Sequence, residues 1–233
     1  MKRIATIGAM DEEVSRLKEK MEVTKVENKA GMEFFQGTIE GKEAVIVRSG
    51  IGKVNAGICT QILVDDFQVD AVVNTGIAGS LKNEINIGDI VLSKDALQHD
   101  MDATGFGYEP GVIPRMEQSV FEGSEQLIQI ASEVNAQVNP DIATFVGRVV
   151  SGDQFISDNA KKEYLVNQFA GYCTEMEGAA IAQVCYLNQI PFLIIRAISD
   201  KADQSATMDY GEFEAKAIEH TVNLVSGIMA RMA

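Results

Sequence analysis

The chain has 233 residues, enough for one large α/β domain or two small ones, and 46% of them are hydrophobic, so it can bury a sizeable core. Its formal net charge of −14 argues against binding nucleic acid or an anionic membrane through bulk electrostatics. The three cysteines are odd in number and lack any C-x-x-C spacing, so we expect neither a disulfide framework nor a zinc site. The sequence begins with a strand-like segment instead of a signal peptide and contains no membrane-length apolar run, so we expect a cytoplasmic protein.

Strands and helices alternate in the first half of the chain. The predicted strands are residues 3–7, 33–39, 43–48, 70–74 and 89–92. The second and third of these flank Glu40-Gly41-Lys42 and predict a β-hairpin. The helix that follows the hairpin carries Val54, Ile58 and Ile62 on one face.

The second half continues the same alternation. The predicted elements are a helix over 123–135, a strand over 144–150, a helix over 159–169, a strand over 191–199 and a C-terminal helix. The long segment 99–114, rich in glycine and aromatic residues, predicts a functional or interfacial loop. We see no repeat or linker, so a single domain over residues 1–233 with an α/β fold is expected.

Residues 174–203 form the stretch around which the rest is organised. The strand over 191–199 is continuously apolar up to Arg196, which is typical of a central strand covered on both faces. Asp200 directly follows this strand, and ligands of α/β sheets bind beyond the carboxyl ends of the strands. An acid–Met–acid triplet at 175–177 precedes the helix that leads into the strand. The two features together predict a site.

Four strand ends carry polar or glycine-rich sequence. They are GAMDEE (8–13), NTGIAGS (74–80), SGDQFIS (151–157) and RAISD (196–200). In a largely parallel sheet all four would converge at one edge. Gly76-x-x-Gly79 could present backbone N–H groups to an anion or a hydroxyl, or could simply form a tight turn, since it lacks the lysine of a nucleotide-binding loop.

Each acid in these segments also has a purely structural interpretation. Glu13 falls in a first helical turn, where the helix dipole favours acids. Thr174-x-x-Glu177 matches a capping box, and Asp200 could be an N-cap or form an Asx-turn. Ser157 is a candidate cap for the helix that follows it. From local pattern alone, these alternatives stay open.

Seven segments resemble, in order and spacing, the bacterial 5′-methylthioadenosine/S-adenosylhomocysteine nucleosidases. They are GAMDEEV (8–14), SGIGKVNA (49–56), NTGIAG (74–79), HDMDATGFGYE (99–109), SGDQFI (151–156), EMEGAAIA (175–182) and RAISDKAD (196–203). The resemblance covers nearly the full length. It implies a three-layer α/β/α fold of the nucleoside phosphorylase type, with a central mixed sheet flanked by helices. It also implies a homodimer that uses neither a cofactor nor a metal.

The resemblance implies hydrolysis of the N-glycosidic bond of 5′-methylthioadenosine, S-adenosylhomocysteine and 5′-deoxyadenosine, giving adenine and the 5′-substituted ribose. Asp200 would protonate adenine N7, which requires a carboxyl kept protonated by desolvation. Glu13 would hold and deprotonate the attacking water, with Arg196 orienting both. Glu177 would accept hydrogen bonds from the ribose hydroxyls and so would not cap its own helix.

The remaining positions implied by the resemblance fall into three groups. The substrate-binding group is Ala9, Ile77, Gly79, Phe155, Ile156, Glu175, Met176 and Ser199. Within it, adenine would stack on Phe155 while the backbone of Ile156 reads its edge. The 5′-alkylthio pocket is lined by Met10, Ile51 and Tyr210. The neighbouring subunit would contribute Ala103, Phe106 and Pro114. An apolar pocket suits a thioether and rejects a 5′-phosphate.

Three positions depart from the family pattern: Ile77 replaces a common Ser, Tyr210 a common Phe, and Gly178 a frequent Ala. None of them removes a catalytic acid. A phosphorolytic relative is the nearest alternative, but the charge of Glu13 would repel phosphate at the sugar. A non-catalytic nucleoside-binding protein would be expected to have lost one of the three acids.

Overall fold

The computed structural model describes residues 1–203 and 206–233, with no side chains described for 207–212. The strands are β1 Arg3–Gly8, β2 Glu22–Lys29, β3 Met32–Ile39, β4 Lys42–Arg48, β5 Ala71–Ser80, β6 Ile90–Gln98, β7 Phe121–Glu122, β8 Thr144–Ser151, β9 Cys173–Glu175 and β10 Phe192–Asp200. The helices are α1 Asp11–Glu19, α2 Lys53–Asp65, α3 Glu125–Val138, α4 Asn159–Phe169, α5 Gly178–Asn188 and α6 Ala206–Met232. A short 3₁₀ turn covers Thr104–Phe106.

The predicted hairpin is confirmed as the antiparallel pair β3–β4, but the sequence prediction missed β2. Within the described part of the chain this strand pairs with β3 alone and lies at the edge of the sheet. Its residues are mostly exposed and include four charged side chains, so the apolar alternation of a half-buried strand is absent. Charged residues on an edge strand discourage pairing with another chain.

Part of the sheet closes into a ring of five strands. β5 pairs with β10, β10 with β6, β6 with β8, β8 with β9, and β9 again with β5. The β10–β6 and β5–β9 pairs are antiparallel, so the sheet is mixed and β8 runs opposite to β5 and β10. The end of β8 nevertheless reaches the end of β5, because Ser151 pairs with Glu175 while Thr174 pairs with Gly79. Closure of the ring therefore brings the end of β8 to the same edge as the ends of β5 and β10, which the sequence analysis expected from a parallel sheet.

Helices cover both faces of the sheet, which confirms the predicted three-layer α/β/α fold. Apolar residues of α1, α3 and α6 pack in one cluster and those of α2 and α5 in another. Within α2, Ala56, Cys59 and Leu63 are buried. Two of the three residues of the predicted stripe point outward instead, since Val54 is 72% and Ile58 45% exposed, while Ile62 is partly buried against the core cluster.

Two further local results complete the fold. Asp158, rather than the predicted Ser157, is the N-cap of α4, and its side chain accepts a hydrogen bond from the Lys161 amide. The three cysteines of the sequence are buried free thiols. None of the helices in the described part of the chain combines the length and apolar character needed to cross a bilayer.

Candidate active site

A cavity of about 420 Å³ opens where β1, β5, β9 and β10 end. It is lined by Ala9, Met10, Glu13, Ile51, Ile77, Ala78, Gly79, Phe155, Thr174, Glu175, Met176, Glu177, Ser199 and Asp200. The volume lies in the range usual for small-molecule sites. Sequence reasoning missed Ala78 and Thr174, whose side chains gave no chemical signal. These positions could have been found only from their place beside the glycine-rich end of β5.

The cavity depends on a gap along one edge of β5. On this edge β1 pairs with residues 71–74 of β5, and β9 pairs only with Gly79 and Ser80. Among the residues that the structure describes, no strand pairs with the backbone between these two pairings on this side. The amide of Ile77 lies in the gap and donates a hydrogen bond to Glu13 Oε1 at 3.2 Å, across 64 residues of sequence.

Glu13 is held by backbone amides on both carboxylate oxygens. Oε2 accepts from the amides of Ala9 at 2.7 Å and Met10 at 3.1 Å, and Oε1 accepts from Ile77. Only 4% of the residue is exposed. Burial raises its pKa above the ordinary value, while Arg196 and the three amides act in the opposite direction. Glu13 therefore both stabilises the start of α1 and lines the cavity, so the two interpretations of this acid are compatible.

Glu175 is an internal anion that organises its neighbours. Its carboxylate accepts hydrogen bonds from the amides of Glu177 and Gly178, from the Ser151 hydroxyl and from the Arg196 guanidinium. Burial alone would raise the pKa of Glu175, but Arg196 and these hydrogen bonds hold it below the ordinary value. Both oxygens are occupied, so we expect this residue to position others rather than to bind substrate directly.

Arg196 lies behind the cavity and is not among its described lining residues. It is 2% exposed and also donates to Asn74 Oδ1 at 2.6 Å. Its Nη2 is 4.0 Å from Glu177 Oε2. The guanidinium therefore neutralises part of the charge of the acids around it, as a buried charge requires.

Glu177 occupies the N-cap position of α5 without making a side-chain cap bond. Its Oε1 accepts a hydrogen bond from the Gly52 amide at 2.8 Å, so the capping-box interpretation is wrong. Burial, followed by the charge of Glu175, raises the pKa of Glu177 to about 7. An acid with this pKa exchanges its proton near neutral pH and can present a carboxylate to hydroxyl donors.

Asp200 ends β10 and is 2% exposed. Its Oδ1 accepts from the Ala202 amide at 2.7 Å, which is the Asx-turn anticipated from sequence, and the Ser199 hydroxyl donates to Oδ2 at 2.9 Å. A Cβ atom at Gly79 would come within 2.8 Å of Asp200 Oδ1, so glycine at 79 permits this close approach. Asp200 therefore both forms the turn and lines the cavity. Its role as the proton donor remains a prediction.

The other predicted positions divide into three cases. Phe155 lines the cavity with 52% of its surface exposed, whereas Ile156 is buried in a cluster with Leu165 and is not among the described lining residues. Tyr210 lies outside the residues whose side chains are described. The three residues assigned to a neighbouring subunit are absent from the described lining of this cavity: Ala103, Phe106 and Pro114.

Comparison with known proteins identifies the family of the chain. Residues 3–230 match the family model of the phosphorylase superfamily. The chain is 45% identical over 233 residues to the 5′-methylthioadenosine/S-adenosylhomocysteine nucleosidase of Halalkalibacterium halodurans, covering 100% of both chains. The chain belongs to this nucleosidase family. The resemblance recognised in the sequence motifs is therefore confirmed.

Solved structures of the nucleosidase family superimpose closely on the chain. The enzyme of Neisseria meningitidis in complex with methylthio-immucillin-A is 36% identical, with a TM-score of 0.94 over 99% of this chain and 100% of that one. The enzyme of Colwellia psychrerythraea in complex with adenine is 38% identical, with a TM-score of 0.94 over 99% and 95% of the two chains. The expected nucleoside phosphorylase-like fold is confirmed.

Proposed function

We propose that the chain hydrolyses the N-glycosidic bond of 5′-methylthioadenosine and S-adenosylhomocysteine, and also that of 5′-deoxyadenosine, to adenine and the 5′-substituted ribose. The observation that carries this proposal is the arrangement of Glu13, Glu177 and Asp200 around one cavity in a nucleosidase-family chain. No lysine, arginine or histidine occurs among the described lining residues. Phosphate would lack the cationic partners that it needs beside the sugar, so water is the proposed nucleophile.

Bond cleavage sends the glycosidic electron pair into the purine and leaves positive charge on the ribose. In the proposed mechanism Asp200 transfers its proton to adenine N7, so that the leaving group departs neutral. Ser199 and the Ala202 amide orient the Asp200 carboxyl for this transfer. Glu177 accepts hydrogen bonds from the ribose hydroxyls, and its carboxylate stabilises the nearby positive charge.

Glu13 is the proposed base for the attacking water. Burial raises the pKa of Glu13, which makes its carboxylate a stronger proton acceptor and so increases the driving force for taking a proton from water. The three backbone amides fix its orientation. Water adds to the anomeric carbon and gives one proton to Glu13, so one water is consumed for each adenine released.

The 5′ side of the cavity supports an apolar substituent and a second subunit. Met10 and Ile51 line this side, and Ile51 is 54% exposed. On the neighbouring helices α2 and α5, Val54 is 72% and Leu187 60% exposed. Large contiguous apolar patches mark interaction surfaces, and these exposed residues lie on two helices that pack against each other. We propose a homodimer in which the partner covers these helices and contributes Ala103, Phe106 and Pro114 to complete the pocket.

Adenine release from both thionucleosides, with and without phosphate, tests the proposed function. We expect equal rates in the two buffers and no action on 5′-phosphorylated nucleotides, because the pocket is apolar at that end. Absolute dependence on phosphate would identify a phosphorylase. Tight binding of the nucleosides without adenine release would identify a non-catalytic binding protein.

A further inference from the structure

A partly buried ion pair fastens the start of α2 to the end of β6. Lys53 Nζ donates to Asp100 Oδ1 at 2.6 Å and to Gln98 Oε1 at 3.0 Å. The two charged side chains are 18% and 16% exposed. Neither residue lines the described cavity, and the sequence analysis gave neither a role, although both lie in segments that carry the family resemblance, 49–56 and 99–109.

The same pair closes a cycle of hydrogen bonds with a third segment. The Lys53 amide donates to Asp153 Oδ1 at 2.8 Å, and the Asp153 amide donates to Asp100 Oδ2 at 2.9 Å. Burial alone would raise the pKa of Asp100, but its bonds from Lys53 and the Asp153 amide hold it below the ordinary value. Asp100 is therefore the ionised centre that joins α2, β6 and the loop after β8.

This cycle lies two residues along the chain from two residues that line the cavity, Ile51 and Phe155. Gly52, immediately before Lys53, gives its amide to Glu177 Oε1, and Phe155 follows Asp153 by two residues. Gly52 has a φ of 95°, a conformation that glycine adopts without strain. The successive amides of Gly52 and Lys53 at the N-terminus of α2 thus bind one carboxylate of the cavity and one carboxylate of the cycle.

We propose that Lys53 and Asp100 are positioning residues that set the N-terminus of α2 against Glu177 and hold the turn that carries Phe155. This inference rests on the proposed function for its kinetic consequences. A pair that only stabilised the fold would change the melting temperature without altering how the site titrates. A positioning pair would change the environment of Glu177, because the Gly52 amide is one of the groups that lowers its pKa.

The charged groups that face Glu177 define what a variant should do. They are Glu175 on β9, Arg196 on β10 and Glu13 on α1, and we expect them to stay in place in a Lys53 variant because the described hydrogen bonds of Lys53 go to other residues. Weakening the hydrogen bond from the Gly52 amide would destabilise the ionised form of Glu177 but not its protonated form, so the pKa of Glu177 would rise. The acid limb of kcat/KM should then move to higher pH, and KM should rise because the carboxylate is misplaced.

The test compares Lys53→Met with Lys29→Met from pH 5 to 9. Lys29 forms an equally short pair with Asp66 at 2.6 Å, away from the cavity lining. We expect Lys53→Met to raise KM about tenfold or more, as loss of a charged hydrogen bond implies. We expect kcat to stay within about threefold and the acid limb to shift upward by about half a pH unit. Lys29→Met should have the wild-type KM and pH profile. Lys53→Arg should have a KM between those of the wild type and Lys53→Met.

Unchanged KM and an unchanged acid limb in folded Lys53→Met would overturn the inference. If that variant does not fold, Asp100→Asn, which keeps only one acceptor oxygen, must show the same two shifts or the inference fails. Inactive wild-type protein would instead remove the proposed function. In that event, amide hydrogen exchange of the peptide 49–56 tests the positioning directly: faster exchange in Lys53→Met supports it, and wild-type exchange contradicts it.

Discussion

Glu13 and Arg196 both come close to the point at which a Cβ atom added to Gly76 would lie. A Cβ atom at this glycine would come within 3.0 Å of Glu13 Cδ and 2.9 Å of Arg196 Nη1. Real Cβ atoms do not make contacts this short, so any side chain at 76 would displace one of the two groups. The acid proposed as the base and the guanidinium behind it therefore share a space that only glycine leaves open.

Gly76→Ala should lower kcat about 100-fold, because a displacement of about 1 Å in a catalytic group has this effect. Adenine release under saturating substrate measures it. Gly57→Ala is the matched control, since a Cβ there would lie 3.9 Å from Val184 Cγ2, an ordinary van der Waals contact. If Gly76→Ala retained the wild-type kcat, the position of Glu13 would not matter for the chemistry.

Asp200→Asn separates the catalytic role of this acid from its role in the turn. Asn can accept the Ala202 amide bond through its side-chain oxygen, so the turn should survive. It cannot donate a proton to adenine N7, and kcat should fall by roughly 10²–10⁴-fold. Binding of substrate analogues should persist, because the amide can still hydrogen-bond N7.

Asp158→Asn provides the control for Asp200→Asn, because Asp158 is an N-cap on α4 and Asn caps about as well as Asp. We expect this variant to keep wild-type activity and melting temperature. Near wild-type adenine release by folded Asp200→Asn would mean that another group supplies the proton.

Substrate affinity should depend on pH through Glu177. Its pKa is about 7, and the ribose hydroxyls need an ionised acceptor, so KM should rise as pH falls below this value, by up to about tenfold per pH unit. In Glu177→Gln the KM should be high and independent of pH in this range. Initial rates between about pH 5 and 8 measure both. A KM in the wild type that is flat through pH 7 would contradict the role assigned to Glu177.

Ionisation of Glu177 should also make the stability of the fold depend on pH. Because the folded-state pKa of Glu177 is raised above the ordinary 4.5, its protonated form contributes stability that is present below pH 4.5 and lost as pH rises to about 7. Glu177→Gln, which cannot ionise, should therefore melt at a higher temperature than wild type at about pH 8, and with little difference at about pH 4. Equal shifts at both pH values would exclude ionisation of Glu177 as the cause.

The proposed homodimer should depend on the outward face of α2. Val54→Glu places a charge on the most exposed apolar residue of this helix and should give a monomer of 25.3 kDa by light scattering. Its KM should rise about tenfold, because the partner residues would no longer complete the pocket. Val23→Glu, on edge strand β2 and 44% exposed, is the control and should remain dimeric. A fully active wild-type monomer would refute the dimer.

Local patterns in the sequence predicted most of the main elements and the end of the sheet at which the cavity lies. The continuous apolar run before Asp200 predicted a central strand because both faces of β10 are covered, and every residue of that strand is buried. The acids at strand ends predicted the site because strand termini face the ligand edge of an α/β sheet. The exposed strand β2 had no such pattern, since an edge strand in solvent needs no apolar face.

Tertiary structure alone decided which of the competing local interpretations applied. From the sequence, Glu177 could either cap its own helix or bind a ligand. Its hydrogen bond from the Gly52 amide, 125 residues away, excluded the capping-box interpretation. The end of β8 enters the site only because the strand ring closes through β9. Lys53 and Asp100 meet across 47 residues. Such contacts carry no local signature, because they depend on how the chain closes on itself rather than on the period of any one element.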